Sequence, residues 1–95
     1  MAAYFIADIE VKDPTAFGEY RKQVPATIEK YGGRYLARGG ATEVLEGEWR
    51  PRRVVILEFP GVAAARRWYD SDEYREPKAL RRRAAVTNLV LVEGL

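Results

Sequence analysis

The sequence predicts an α+β fold of the ferredoxin-like type, in which an antiparallel sheet in the order βαββαβ carries its helices on one face. Three observations predict it: a two-residue alternation near the N terminus, an apolar stripe at helical spacing directly after it, and later strand-like and helix-like stretches divided by Gly and Pro. The 95 residues suffice for one small domain, residues 1–95.

The first strand is predicted over residues 4–11, because apolar side chains recur there at every second position. Asp13 and Pro14 then predict the start of a helix, with Asp13 as N-cap and Pro14 in the first turn. Pro25 falls inside this helix and predicts a kink just before it. The helix is expected to end at Gly32–Gly33. Its buried stripe consists of Phe17, Tyr20, Val24, Ile28 and Tyr31.

Two strands are predicted on either side of a long connection. Residues 34–38 predict a short strand, and residues 52–59 predict a longer and more buried one. Gly39–Gly40 predicts a bend or β-bulge, and residues 43–47 are compatible with an extra strand.

A broken second helix precedes the last strand. Residues 59–61, Phe-Pro-Gly, separate it from the preceding strand, and Ser71 predicts a second N-cap within it. Pro77 limits the part after Ser71 to a short helix that ends near Ala85. Residues 88–94 predict the last strand. The apolar face of the first helical part consists of Val62, Ala65, Trp68 and Tyr69.

One face of the predicted sheet, here called the open face, has no helix to cover it. Apolar side chains occupy much of it, which is unusual for a soluble monomer, so a second molecule is expected to pack there. The residues assigned to the open face are Tyr4, Ile6, Asp8, Leu36, Arg38, Val54, Ile56 and Glu58. Those assigned to the helix-covered face are Phe5, Ile9, Val55, Leu57 and Phe59.

The composition excludes several kinds of chemistry. The chain contains no Cys and no His, which excludes thiolate nucleophiles, zinc–thiolate sites, a Ser–His–Asp triad and the usual haem ligand. Neither a GxGxxG nor a P-loop sequence occurs. No metal and no bound cofactor are therefore expected. The N-terminal sequence lacks the features of a signal peptide, and no apolar run approaches a membrane span, so a cytoplasmic protein without membrane contact is expected.

Nucleic-acid binding is a remote alternative. The 16 basic residues nearly balance the 14 acidic ones, whereas nucleic-acid-binding domains usually have a larger basic excess. RNA-recognition modules share the βαββαβ order, but they stack bases on aromatic side chains of the two central strands. The corresponding strands here, residues 4–11 and 52–59, present aliphatic and acidic side chains, and acids repel phosphates. No nucleic-acid partner is therefore expected.

Four stretches carry a resemblance to a known family: YGGRYLARGG (31–40), LEGEWRPRRVVILEFP (45–60), ARRWYDSDEY (65–74) and the closing VEG (92–94). Over essentially the whole chain, the sequence resembles the domain-of-unknown-function family numbered 1330, of the dimeric α+β barrel superfamily. The resemblance implies a homodimer whose two sheets pack face to face, with a cavity between each sheet and its helices. It implies no established reaction, and the superfamily includes cofactor-independent monooxygenases, lactone isomerases and haem-degrading enzymes. The absence of His disfavours the haem route.

Four charged positions, Asp8, Arg38, Arg52 and Glu58, are assigned to the face that a partner would cover, and buried charges need partners. In the functional interpretation, Arg38 and Arg52 bind an anionic substrate and Asp8 or Glu58 acts as the catalytic base. A carboxylate half-buried among aliphatic side chains would have a raised pKa, which suits proton abstraction next to a carbonyl. The structural interpretation is an ion-pair network across strands or subunits.

Aromatic side chains supply further candidates. Trp49 is predicted to be either a wall of the substrate pocket or an anchor of the dimer interface. Tyr69 and Tyr74 are predicted to line the cavity with a hydroxyl group, and a purely structural core role is the alternative. Trp68 is assigned to the core. Residues 81–83, three arginines, are interpreted as a solvated helix face.

The sequence therefore predicts a homodimer that binds a small acidic or carbonyl-bearing molecule in a cavity at the sheet face. It would act as a cofactor-independent enzyme of the isomerase, lyase or monooxygenase type. A non-catalytic ligand-binding or interaction dimer is the alternative.

Overall fold

The computed structural model describes residues 1–95 and has the predicted order of elements, with the second helix divided in two. The strands form one antiparallel sheet, so the predicted α+β ferredoxin-like fold is confirmed. The strand order across the sheet is β2-β3-β1-β4. The strands are β1 (Ala3–Val11), β2 (Arg34–Arg38), β3 (Val54–Phe59) and β4 (Ala85–Glu93), and the helices are α1 (Pro14–Lys30), α2 (Val62–Tyr69) and α3 (Asp72–Ala84).

The helix termini follow the signals in the sequence. Asp13 caps α1 by accepting a 3.1 Å hydrogen bond from the Ala16 N–H, and Ser71 caps α3 by accepting one of 3.1 Å from the Tyr74 N–H. After α1, Gly32 adopts a φ of 81°, which favours glycine and turns the chain towards β2. Both predicted N-caps are confirmed. None of the three helices has the length and apolar character that a membrane span requires.

Pro25 changes the hydrogen bonding inside α1. It has no N–H, so the carbonyl of Arg21, four residues earlier, lacks its helical donor. The Arg38 guanidinium of β2 donates to this carbonyl over 2.9 Å instead. A proline within the helix therefore fastens an arginine of the neighbouring strand to the helix backbone.

The hydrophobic core lies between the sheet and the helices and contains a cluster of aromatic rings. Phe59 is fully buried and meets Phe5 edge to face, with ring centroids 5.9 Å apart. Trp68 stacks on Tyr74 at 4.0 Å, and its indole N–H donates to the Thr27 hydroxyl over 3.0 Å. The core assignment of Trp68 is confirmed. Truncation of a ring such as Phe59 to alanine would cost about 3–5 kcal/mol of stability.

Some element boundaries differ from the prediction. β3 begins at Val54 rather than at residue 52, and β4 begins at Ala85 rather than at residue 88. The connection of residues 39–53, here called the arm, contains no strand, so the extra strand predicted there is wrong. Hydrogen bonds to the Asp8 and Glu10 side chains of β1, rather than strand pairing, hold the arm.

The open face remains uncovered in the single chain. The molecule is a slab of 35 × 33 × 16 Å, with the helices on one broad side. On β4 the open face carries Val86, Val90 and Val92, all exposed. Such a row of exposed aliphatic residues is typical of a surface that packs against another molecule.

Candidate functional site

Asp8 lies on the open face, and its carboxylate accepts three hydrogen bonds from the arm. The Trp49 indole N–H donates over 3.0 Å, and the backbone N–H groups of Arg52 and Arg53 donate over 2.9 and 3.4 Å. These bonds, the one from Trp49 foremost, hold the pKa of Asp8 below its ordinary value. The raised pKa predicted for a base on this face is therefore wrong for Asp8, whose carboxylate fastens the arm to β1.

Glu58 lies on the same face but far from Asp8. Its carboxylate accepts a 2.7 Å hydrogen bond from the Arg34 side chain. In the ladder of β1 and β3, Asp8 is opposite Val54 and Glu58 is opposite Tyr4, so about 13 Å of strand separates the two carboxylates. The structure does not bring them together within one chain.

Arg52 also has an acidic partner. Its guanidinium donates to Glu10 over 2.8 Å, and Glu10 pairs in addition with Lys12 at 3.2 Å. The charged side chains of β1 on this face are thus engaged within the chain, an arrangement typical of a structural network. The assignment of Arg52 to a ligand stays a prediction.

Arg38 lies on the helix-covered face, and its assignment to the open face is wrong. A β-bulge interrupts the pairing of β2 with β3: Tyr35 is opposite Leu57, but Ala37 is opposite Ile56, so Leu36 is an extra residue. Beyond the bulge the alternation of faces is inverted. Arg38 is opposite Val55 and contacts α1, and it does not join Asp8 or Glu58.

Trp49 lies in the arm above the open face and is 61% exposed. Its indole N–H donates to Asp8, and the residue also borders an open space of about 500 Å³ between the arm and the sheet. Both predicted roles, pocket wall and interface anchor, stay predictions. The apolar residues that border this space with Trp49 are Ile6, Val44, Leu45, Val54 and Ile56.

A second space, here called the inner cavity, lies between the sheet and the helices. Its volume is about 30 Å³, room for one or two water-sized groups. Tyr20 and Tyr74 meet in its wall with their hydroxyl oxygens 3.0 Å apart. Thr87 also lines it, and the buried Thr87 hydroxyl has no hydrogen-bond partner within the chain. Burial foremost, and the neighbouring Tyr74, raise the pKa of Tyr20, so its phenol remains protonated.

Arg81 brings a positive charge into the wall of this cavity. It is 6% exposed, forms no ion pair, and donates from Nε to the Tyr74 hydroxyl over 3.4 Å. The interpretation of residues 81–83 as a solvated face is therefore wrong for Arg81, although Arg82 and Arg83 are exposed. The signal was in the sequence, because Arg81 lies seven residues after Tyr74 and so shares its helix face.

The inner cavity adjoins a larger groove at the edge of β4, here called the outer groove. Its volume is about 230 Å³, and it shares the wall residues Phe5 and Leu89 with the inner cavity. Tyr69 lines this groove, and its hydroxyl accepts a 3.1 Å hydrogen bond from Arg82. The predicted cavity positions of Tyr69 and Tyr74 thus agree with their location, while a role in binding stays a prediction. No group of three acidic side chains is arranged to hold a metal ion.

The model of the family with the description Domain of unknown function (DUF1330) matches residues 2–95. The chain belongs to this family. No curated protein sequence is significantly similar to this DUF1330 protein.

Solved structures share the fold of the DUF1330 chain. A protein of unknown function from Rhodopseudomonas palustris is 22% identical, with a TM-score of 0.78, over 99% of this chain and 82% of that one. SnoaB, a cofactor-independent oxygenase from Streptomyces nogalater, is 13% identical, with a TM-score of 0.67, over 99% and 93%. An antibiotic biosynthesis monooxygenase is 15% identical, with a TM-score of 0.55, over 100% and 99%. At these identities the likeness establishes the fold alone, that of the dimeric α+β barrels.

Proposed function

We propose that this DUF1330 protein binds a small acidic or carbonyl-bearing molecule between its sheet and helices, with an oxygen of that molecule at Arg81. The observation that carries the proposal is the Arg81 guanidinium, buried without a carboxylate. A buried charge is costly unless it is paired, and here a tyrosine hydroxyl is its only side-chain partner. A ligand oxygen with negative charge would offset this cost.

The polar groups around Arg81 support the same ligand chemistry. The Tyr74 hydroxyl, between Tyr20 and Arg81, and the unpartnered Thr87 hydroxyl converge on an otherwise apolar space. A few convergent polar groups in an apolar wall are typical of small-molecule sites. The inner cavity and the outer groove are both smaller than the roughly 300 Å³ at which such sites usually begin. The ligand is therefore small, with one oxygen in the inner cavity.

The chemistry that fits this lining is stabilisation of an enolate or phenolate. A fixed guanidinium in a buried cavity lowers the energy of an oxygen on which negative charge develops. No carboxylate lines the inner cavity, and Asp8 and Glu58 belong to the opposite face of the sheet. A reaction here would accordingly require a substrate that ionises readily. This requirement is compatible with an oxygenase, isomerase or lyase that acts without a bound cofactor. The fold shared with SnoaB, a cofactor-independent oxygenase, supports this type of enzyme.

The lack of a carboxylate in the inner cavity, with Asp70 present only at the outer groove, favours a second candidate, a ligand-binding protein without catalysis. The two candidates differ in turnover alone, since both require Arg81 to bind the ligand. In either case we expect a second copy of the chain to cover the open face and form a homodimer, given the exposed valines of β4.

The proposal is tested with 4-nitrophenol, whose phenolate is coloured and so reports its own ionisation. Binding to the wild-type protein should lower the pKa of 4-nitrophenol, because Arg81 stabilises the phenolate. Arg81→Met should abolish this shift and weaken binding about tenfold or more. Tyr74→Phe should weaken binding less, because the guanidinium remains.

Arg83→Met is the matched control, because Arg83 is exposed on the same helix. It should bind 4-nitrophenol as the wild type does. Arg81→Met should also fold stably, since replacing an unpaired buried charge by an apolar side chain is often neutral or stabilising. Unchanged binding and an unchanged pKa shift in a folded Arg81→Met protein would refute the proposal.

A further inference from the structure

Three guanidinium groups converge on a recess between α1 and the sheet, away from Arg81. Arg21 comes from α1, Arg38 from the end of β2, and Arg53 from the residue before β3. The recess, here called the arginine recess, has a volume of about 30 Å³ and also contains the rings of Phe17 and Tyr35. Three positive charges thus come together from positions that are far apart in the sequence.

None of these three arginines forms an ion pair. Acidic partners are available elsewhere in the chain, because six other basic side chains form ion pairs with Asp or Glu. Arg53 is the most confined of the three: its Nε is buried and has no hydrogen-bond partner. Its guanidinium lies 5.4 Å from the Phe17 ring centroid, and a Cβ on Gly39 would approach it to 2.6 Å. Burial foremost, and then the charges of Arg21 and Arg38, lower the pKa of Arg53.

The arrangement is held in place although the like charges repel. Arg38 donates to the Arg21 carbonyl that Pro25 leaves free, and its guanidinium stacks on Tyr35 at 4.5 Å from the ring centroid. Like charges held close together destabilise a fold unless an opposite charge joins them. Arginine presents N–H groups in a planar fork that matches a carboxylate or another oxyanion.

We propose that Arg21, Arg38 and Arg53 form an anion-binding subsite that takes one acid group of the size of a carboxylate. The volume of about 30 Å³ gives room for such a group beside the three guanidinium groups. The arginine recess and the inner cavity share Ile9, Tyr20, Val55 and Leu57 as wall residues, so both border the same apolar core. The acid group is therefore either a free small anion or the acid end of the molecule at Arg81. The second source depends on the proposed function; the anion subsite itself does not.

The test follows the side-chain Nε–H resonance of Arg53 in the ¹⁵N-labelled full-length protein while sodium acetate is added. We expect a saturable shift of this resonance in the wild type. Arg38→Gln and Arg21→Gln should each raise the dissociation constant of acetate about tenfold, since each removes a charged donor. Arg21→Gln is the safer variant for folding, because the Arg21 side chain is exposed and makes no hydrogen bond within the chain.

Arg34→Gln and Arg75→Gln are controls that remove the same charge from arginines already paired with Glu58 and Asp72. Both should bind acetate as the wild type does, which separates a local site from a general effect of net charge. An absent or non-saturable shift in the wild type, or equal weakening in the controls, would overturn the subsite.

Benzoate then distinguishes the two sources of the acid group. Binding of benzoate that is read at the Arg53 resonance, is at least tenfold tighter than that of acetate, is weakened by Arg38→Gln and displaces 4-nitrophenol would assign the acid group to the ligand of the inner cavity. Equal binding of acetate and benzoate, without displacement, would assign the subsite to a free small anion. The acetate result depends on the three arginines and the 4-nitrophenol result on Arg81, so either proposal can fail alone.

Discussion

At the scale of single residues, Asp8 shows how one carboxylate organises a connection that has no secondary structure. It accepts hydrogen bonds from the Trp49 side chain and from two backbone N–H groups of the arm. Asp8→Ala leaves these donors without their acceptor and should lower the free energy of unfolding by about 1–2 kcal/mol. Asp8→Asn keeps a side-chain acceptor and should lower the free energy of unfolding by a smaller amount. Urea denaturation at pH 7 measures both.

The pH dependence of this effect follows from the direction of the pKa shift. Hydrogen bonds, with that from Trp49 largest, lower the folded-state pKa of Asp8 below its ordinary 3.8. The stabilisation is thus fully present above that value and is lost as the pH falls through the lower folded-state pKa. The difference in stability between wild type and Asp8→Asn should therefore shrink between pH 5 and pH 2. Glu43→Gln, an exposed arm residue without an ion pair, is the control and should show no such trend. A constant difference for Asp8→Asn across this range would contradict the assignment.

Residue positions were predictable from the sequence where they depend on local periodicity. The alternation in β1 placed Asp8 on the correct face, and the stripe of α1 placed Tyr20 on the core side. The partners of these residues were not predictable, because Trp49 and Tyr74 are 41 and 54 residues away along the chain. The low pKa of Asp8 depends on one of these distant partners. A sequence pattern can indicate a face but not the hydrogen bonds made on it.

At the scale of elements, the proline of α1 determines the position of an arginine of β2. In Pro25→Ala the new N–H competes for the Arg21 carbonyl, and Arg38 loses its anchor. The helix gains a hydrogen bond, so the free energy of unfolding should rise by about 1–3 kcal/mol. Acetate should nevertheless bind severalfold more weakly, because Arg38 is no longer fixed. Urea denaturation and the acetate titration give the two readouts.

Pro77→Ala is the matched control for this prediction, because Pro77 lies inside α3, away from the arginine recess. Pro77→Ala should also raise the free energy of unfolding, but it should leave acetate binding unchanged. Equal weakening of acetate binding in both variants would show that the link between Pro25 and Arg38 has no part in anion binding.

The β-bulge of β2 explains why Arg38 does not join the charged cluster predicted on the open face. Gly39–Gly40 was the visible candidate for an irregularity, and Gly39 does adopt a φ of 77°. The extra residue, however, is Leu36, which nothing in RYLAR distinguishes from a regular strand residue. Because the side chains of a strand alternate, one extra residue moves Arg38 to the other face. Every inference that placed Arg38 beside Asp8 fails for this one reason.

At the scale of the whole molecule, the open face is the largest feature that one chain leaves without a packing partner. The broad side of the slab, 35 by 33 Å, exceeds the roughly 800 Å² per partner of a stable interface. Light scattering should therefore give about twice 10.8 kDa, and the value should persist on dilution. Val92→Glu should raise the dissociation constant of the dimer about thirtyfold or more, because it buries a charge in that interface.

Val92 suits this test because it is 44% exposed in the single chain and does not line the outer groove, so its replacement leaves the core of the protomer and the proposed ligand site intact. Leu95→Glu, at the exposed C-terminal residue, adds the same charge outside the sheet and should leave the dimer unchanged. A wild-type monomer at all concentrations would contradict the homodimer. The inner cavity and the arginine recess lie on the other side of the sheet and are lined by residues of one chain. Ligand binding at either should therefore survive in a monomeric Val92→Glu protein, and its loss there would show that the partner subunit completes the site.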